Sequence, residues 1–301
     1  FAALLLAVML VTQTTTAFAV EDSPEPTEPS MVQAQDSDTG TEEAGEGTDT
    51  PEGGSLSEGP ETALQTVSSL EELLQAIEQA EAGATIGIGC EIVCPDGTVL
   101  GDTYKRVTLQ RTAPEGHIST YSPDGTGNVI IQAIDFDGGN VEATTPFVQA
   151  SISTAYSECH FSDCTAGAVE ADNGDQNFGY CVFERNTAQY GAHIRMNGGS
   201  ANLFNCVLGR GTATIRGGAI ACYTDQEVTL EKCSIWENTA AQHGGAIWNR
   251  GKLTITQSTI HNNTVNGEPD DIVNEYSGQL ALMDDYDALV ALYATYGLIP
   301  N

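Results

Sequence analysis

The phrase "GGAI" occurs at 217–220 and again at 244–247, each time eleven residues after a cysteine that opens a short apolar stretch. Aligning the chain on that phrase brings five segments into register, beginning at Cys159, Cys181, Cys206, Cys233 and Ser258, with spacings of 22, 25, 27 and 25 residues. Two residues on stand Phe161, Phe183, Leu208, Ile235 and Ile260, and four further on Thr165, Thr187, Thr212, Thr239 and Thr264. Alternating stretches such as "VTLEK" and "LTITQ" precede the cysteine column and put Val228 with Leu230, and Leu253 with Ile255, on one strand face. A unit this short, made of strands and tight corners, cannot bury its apolar face alone and must stack on copies of itself.

The geometry that fits is an all-β, right-handed parallel β-helix, a solenoid in which each coil is one repeat and neighbouring coils lie about 4.8 Å apart. Equivalent residues then lie above one another. The cysteines and Phe/Leu/Ile stack inside, and the Gly-Ala phrase lets coils approach closely. Asn186, Asn238 and Asn263 share a column with Cys164 and Gly211. A side-chain amide both donates and accepts, so these asparagines are expected to form an inward ladder that satisfies corner backbone groups. Cys181, Cys206 and Cys233 would stack as parallel side chains, a poor approach for the disulfide torsion. Buried free thiols are therefore expected, against the alternative of one bridge at Cys90–Cys94 or Cys159–Cys164. No C-x-x-C pair is present, so no metal site is expected.

"FERN", "IWEN" and "IHNN", with "GGAI" at two of the same coils, resemble the FxxN and GGA(I/L/V) repeats of the polymorphic membrane protein family, within the pectin-lyase-like β-helix superfamily. The resemblance covers about residues 159 to 265. It implies a surface-exposed or secreted bacterial β-helix, in some members an adhesin. Two departures stand out: "LGRG" lacks the asparagine, and "YGAHI" places His193 in the column of Val169 and Ile220.

Residues 1–19, "FAALLLAVMLVTQTTTAFA", have an apolar core and a small-residue end, which reads as a secretory signal peptide whose start lies outside this sequence. From 20 to 66 the chain has no lysine or arginine and few apolar residues, which predicts an acidic, disordered linker. The net charge is −32, and 13 of the 42 acidic residues fall between Glu21 and Glu61. The rest of the chain is still acidic, which argues against nucleic acid and anionic membranes as partners. The β-helix domain is assigned to 67–301, with an N-terminal cap helix over 69–80, regular coils over about 153–265 and a C-terminal helical cap within about 266–301. In the cap helix, Ser69 and Glu72 form a capping-box pattern and Leu70, Leu73, Leu74 and Ile77 an apolar stripe. Residues 85–158 are expected to form two or three looser coils.

These features predict a secreted or cell-surface bacterial protein with a binding, adhesion or display role. Its partner would be a carbohydrate or a host or bacterial surface protein, with no cofactor and no membrane insertion of the mature chain. One alternative is a polysaccharide lyase or glycoside hydrolase; another is a structural spacer. Paired carboxylates, or an acidic Ca²⁺ cluster with a basic residue, are the chemistry such enzymes need. The residues nearest to it are Asp135 and Asp137 in "IDFDGGN", with Arg195 and Arg216. Ca²⁺ enters only with the lyase alternative. For binding, the outward positions that follow the Phe/Leu/Ile column are Glu184, Gly209, Trp236 and His261. Trp236, Trp248 and His261 are the candidate contact residues, because exposed tryptophan can stack on sugar rings or anchor a protein interface.

Overall fold

The computed structural model describes residues 64–276 and 278–282. The stretch expected to be a signal peptide, all but residues 64–66 of the expected linker, and the C-terminal part of the expected helical cap lie outside the described residues.

The chain turns through the same three directions again and again. One circuit runs Val182–Glu184, then Thr187–Tyr190, then Ile194–Met196, then Ser200–Phe204, before Val207–Gly209 begins the next coil beside Val182–Glu184. Among the described residues this produces a nine-stranded sheet I, the eight-stranded sheets II and III, and a short sheet IV between I and II in the later coils. The pairings are parallel apart from Thr264–Val265 with Glu268–Pro269 and an isolated bridge at Asp102 and Lys105. The sequence columns are the observed register: Phe136, Phe161, Phe183, Leu208, Ile235 and Ile260 lie on one line of sheet I.

The expected boundaries shift at both ends. Gln65–Val67 pairs with Thr85–Ile88, so a strand of sheet I lies partly inside the stretch assigned to the linker. Residues 85–158 form three coils, within the number expected, and they are in register with the later ones rather than looser. At the other end Ile272–Asn274 and Gln279–Leu282 complete a further coil within the stretch assigned to the C-terminal cap.

Burial follows the period-two rule. Val228 and Leu230, and Leu253 and Ile255, point into the lumen with at most 4% exposure. Phe136, Phe161 and Phe183 stack nearly parallel, with centroids 4.6 and 4.7 Å apart. Tyr156 on Phe178 forms a second stack at 4.4 Å. These ladders hold the coil rise from inside.

Helix α1 (Leu70–Gln79) stands at the first coils. The Ser69 hydroxyl accepts from the Glu72 N–H, as expected of an N-cap, while the Glu72 carboxylate reaches back to Ser68 rather than to Ser69. Leu73, Ala76 and Ile77 enter the core; Leu74 turns outward, because the packed stripe is narrower than the apolar one. The last turn of α1 has no basic residue of its own, and Lys105 Nζ donates to the Ile77 and Glu78 carbonyls instead.

The repeated phrase forms a corner. Gly217 and Gly244 adopt φ of +67° and +65°, and a Cβ on Gly218 would lie 2.0 Å from the Gly245 carbonyl oxygen of the next coil. The first glycine supplies the left-handed turn and the second the close approach. His193 departs from its expected place by one residue: Ile194 pairs with Val169 and Ile220, which puts His193 beside Ala168 and Ala219.

All eight cysteines are free, and all but Cys90 are buried, so neither alternative bridge forms. The thiols at Cys159, Cys181, Cys206 and Cys233 lie 3.4–3.5 Å from the carbonyl two residues back and 3.5–3.7 Å from a carbonyl of the coil before. Ser258, last in the column, donates to Thr256 O at 2.9 Å in the same manner. The column is thus a line of corner donors. Cys206→Ser is expected to change stability by less than about 1 kcal/mol, whereas Cys206→Val, which removes the donor at similar volume, costs about 1–3 kcal/mol in denaturant unfolding.

Candidate functional site

On the far side of sheet I the asparagine ladder closes the second corner. Asn263 Nδ2 donates to Ile235 O and His261 O, and Asn238 Nδ2 to Leu208 O and Trp236 O. The amide oxygens accept from the coil before: Asn263 Oδ1 from Asn238 N at 2.9 Å, Asn238 Oδ1 from Gly211 N at 2.7 Å, and Asn186 Oδ1 from Cys164 N at 3.0 Å. Where the ladder has Gly211 in place of asparagine, His193 fills the rung. Asn186 Nδ2 donates to His193 Nδ1 at 3.0 Å, which leaves the ring proton on Nε2 to be donated to Asn238 Oδ1 at 3.1 Å. A Cβ on Gly211 would come within 2.7 Å of that imidazole, so the missing side chain and the histidine are complementary. His193 is a ladder residue.

Asp135 and Asp137 lie on the outer face of sheet I. Asp135 is ion-paired with Arg106, and Asp137 accepts from Gln110 Nε2 at 2.7 Å and Gly139 N at 2.8 Å. Arg195 is on sheet II, with its Nη1 3.4 Å from Glu170 Oε2, and Arg216 ends a strand of sheet IV, 3.8 Å from Glu275. The four candidates are spread over three sheets and do not converge. Among the described residues no group of three His, Cys, Asp or Glu side chains is placed to hold a metal ion.

The binding candidates divide. Glu184, Gly209, Trp236 and His261 do form one outward row of sheet I in direct register. Trp236 is partly exposed and His261 exposed. The indole lies across Gly209, where a Cβ would sit 2.9 Å from Cε2, and the Arg210 guanidinium stands 4.8 Å from its centroid. Arg210 Nε in turn donates to Glu237 at 3.2 Å. Trp248 corrects the expectation of a second exposed tryptophan: it is outward from the lumen yet only 1% exposed. Tyr223 packs edge-on against it at 5.2 Å, Tyr190 at 6.3 Å, and Arg216 and Arg250 cover its ring.

That aromatic cluster borders a cleft that sequence reasoning missed. It has a volume of about 480 Å³ and runs from the loop at Thr144 and Pro146 past Thr165 and Glu170 to Tyr190 and Arg195. Arg195 is held between the rings of Tyr190 and Tyr223, at 5.6 and 5.4 Å. Asn197 Nδ2 donates to Glu170 at 2.6 Å and to Asp172 at 3.1 Å. The available signal was "VEAD", in which Glu170 and Asp172 alternate onto one strand face as Asp135 and Asp137 do.

A lumen lined by stacked apolar residues, with parallel coils and two donor-closed corners, defines a right-handed parallel β-helix. Residues 125–271 match the family model described as a right handed beta helix region. No curated protein and no solved structure matches the chain. No helix among the described residues is long and apolar enough to cross a membrane.

Burial pushes the His193 imidazole down to about 4. A proton on Nδ1 would face the Asn186 amide donor, which is itself fixed by Phe161 O and Cys164 N. A histidine with a depressed folded pKa stabilises fully above its unfolded value near 6.5 and loses that contribution as pH falls towards 4. His193→Gln can make both amide contacts without titrating. Between pH 6.5 and 4 the wild type should lose about 3 kcal/mol more unfolding free energy than this variant, measured by denaturant titration at each pH.

Proposed function

We propose that this chain is an exported bacterial β-helix of the cell surface that binds a surface protein or glycan, with no chemistry of its own. The observation that carries the reading is the Trp236–His261 row: a partly exposed indole lying flat on a rigid sheet, next to an exposed imidazole and under a guanidinium. The Arg210 side chain is 54% exposed, so a partner can displace it at little cost. Tryptophan and arginine at the centre of a flat face are the residue types that carry most binding energy in interfaces. Export is supported by the apolar, small-residue stretch at 1–19.

A binding role is preferred to a polysaccharide lyase or hydrolase because the candidate catalytic side chains lie on different sheets, each already engaged by a neighbour. The polymorphic-membrane-protein-type repeat supports the same reading through its surface-exposed members. Trp236→Ala is expected to weaken binding to intact bacterial or host cells by about tenfold or more, some 1.4 kcal/mol. Its melting temperature should stay within about 2 °C of wild type, because the side chain lies outside the lumen. Unchanged cell binding by flow cytometry, or loss of the fold, overturns the assignment of this face.

A further inference from the structure

The cleft beside sheet IV is separate from the Trp236 row, and its chemistry is of a different kind. It spans four successive coils, from Thr144 in one to Thr165, Thr187 and Thr214 in the three that follow. At about 4.8 Å per coil that is a length of about 14 Å along the solenoid axis, which suits a short linear oligomer better than a single ring. Its volume of about 480 Å³ is within the range of small-molecule sites.

The lining combines three features. Tyr190 offers an aromatic face, and the Arg195 guanidinium behind it keeps that ring in place. Thr165 Oγ1 and Thr187 Oγ1 give their own protons to Val141 O and Thr165 O, so each oxygen keeps a lone pair to accept from a ligand rich in hydroxyl groups. Charge is balanced: the one cation, Arg195, is already paired with Glu170, and Asn197 anchors the same carboxylate. A carboxylated or sulfated ligand would have to break the Arg195–Glu170 pair and approach a strongly acidic chain. An uncharged ligand meets neither obstacle.

We infer that this cleft is a binding site for a short stretch of neutral oligosaccharide, with one sugar ring stacked on Tyr190 and hydroxyls read by Thr165, Glu170 and Arg195. Its walls are preorganised. Pro146 is buried, Phe147 N donates to Gly167 O at 3.1 Å, and Thr165 Oγ1 donates to Val141 O at 2.6 Å while accepting from Ala143 N, so the loop is tied to the coil beneath it. Little ordering entropy is then spent on binding.

The test is isothermal titration of the folded domain with cellotriose, mannotriose, xylotriose, maltotriose, chitotriose and trigalacturonate. At least one neutral trisaccharide is expected to bind with millimolar or better affinity. Tyr190→Ala, and separately Thr144→Trp, which fills the cleft from an exposed loop position, should each weaken that binding about tenfold or more. Trp236→Ala should leave it unchanged, which separates this site from the sheet I face. No binding by any neutral trisaccharide overturns the inference. So does a preference for trigalacturonate, or saccharide binding that survives both cleft substitutions. Retained circular dichroism in Thr144→Trp keeps the result readable if Tyr190→Ala fails to fold.

Discussion

Each of the five coils from Cys159 onward enters and leaves sheet I through a residue in the left-handed region, and in most of these corners the residue that follows supplies a side-chain donor to the turn. Glu158, Tyr180, Asn205, Lys232 and Gln257 take φ between +49° and +57° on one side; Asp163, Arg185, Arg210, Glu237 and Asn262 take +52° to +58° on the other. A non-glycine residue there costs about 1 kcal/mol or more, twice in every coil. On the first side the offset comes from Cys159, Cys181, Cys206, Cys233 and Ser258; on the second it comes from Cys164, Asn238 and Asn263, which also donate to the carbonyl two residues back. Thiol, hydroxyl and amide do the same work. The same carbonyls also accept a backbone N–H of the coil before, as Phe204 O does from Tyr180 N and Trp236 O from Arg210 N, so each side-chain donor adds a second bond to a corner already tied to its neighbour.

At Gly211 the inward ladder lacks a side chain, and a longer one from the preceding coil fills the room. His193 does so, joining Asn186 to Asn238. Another long polar side chain is buried in an earlier coil: Arg111 is 1% exposed, its Nη1 donates to Thr145 O at 3.0 Å, and it stands 5.0 Å from the centre of Phe147. An ideal solenoid is stabilised by contacts between adjacent coils alone. Here His193 links rungs two coils apart, so those coils are coupled more tightly than the rest.

The fold was legible because stacking repeats chemistry at fixed spacing. Phe161, Phe183 and Leu208 could be aligned by eye, and alternation in "VTLEK" gave the lumen side correctly. The left-handed corners were not legible, since Glu158, Tyr180 and Lys232 have no common side-chain signal; the information is in the neighbour that follows. The one-residue slip at His193 arose because Ala192 stands where the later coils have the second glycine. Trp248 was misplaced for a different reason. Period two tells which face of a strand a residue occupies, but not whether Tyr190, Tyr223 and Arg216, from other coils, then close over that face. The cleft was invisible for the same cause: Thr144 and Arg195 are far apart in sequence and meet only through coil geometry.

The corner positions themselves have a consequence for how such a molecule can vary. Most are held by the side chain after them, so their own side chains have no part in the turn, and most project into solvent. One line reads Glu, Tyr, Asn, Lys, Gln and the other Asp, Arg, Arg, Glu, Asn, mixing charge, size and aromaticity, while the lumen columns stay nearly constant. The solenoid therefore carries two parallel tracks of freely exchangeable chemistry at a step of about 4.8 Å. Neighbouring rungs already use this freedom, as in the pairs Arg185–Asp163 and Arg210–Glu237. A protein built this way can rewrite its outward lettering rung by rung, and so change what it meets, without editing the frame that displays it.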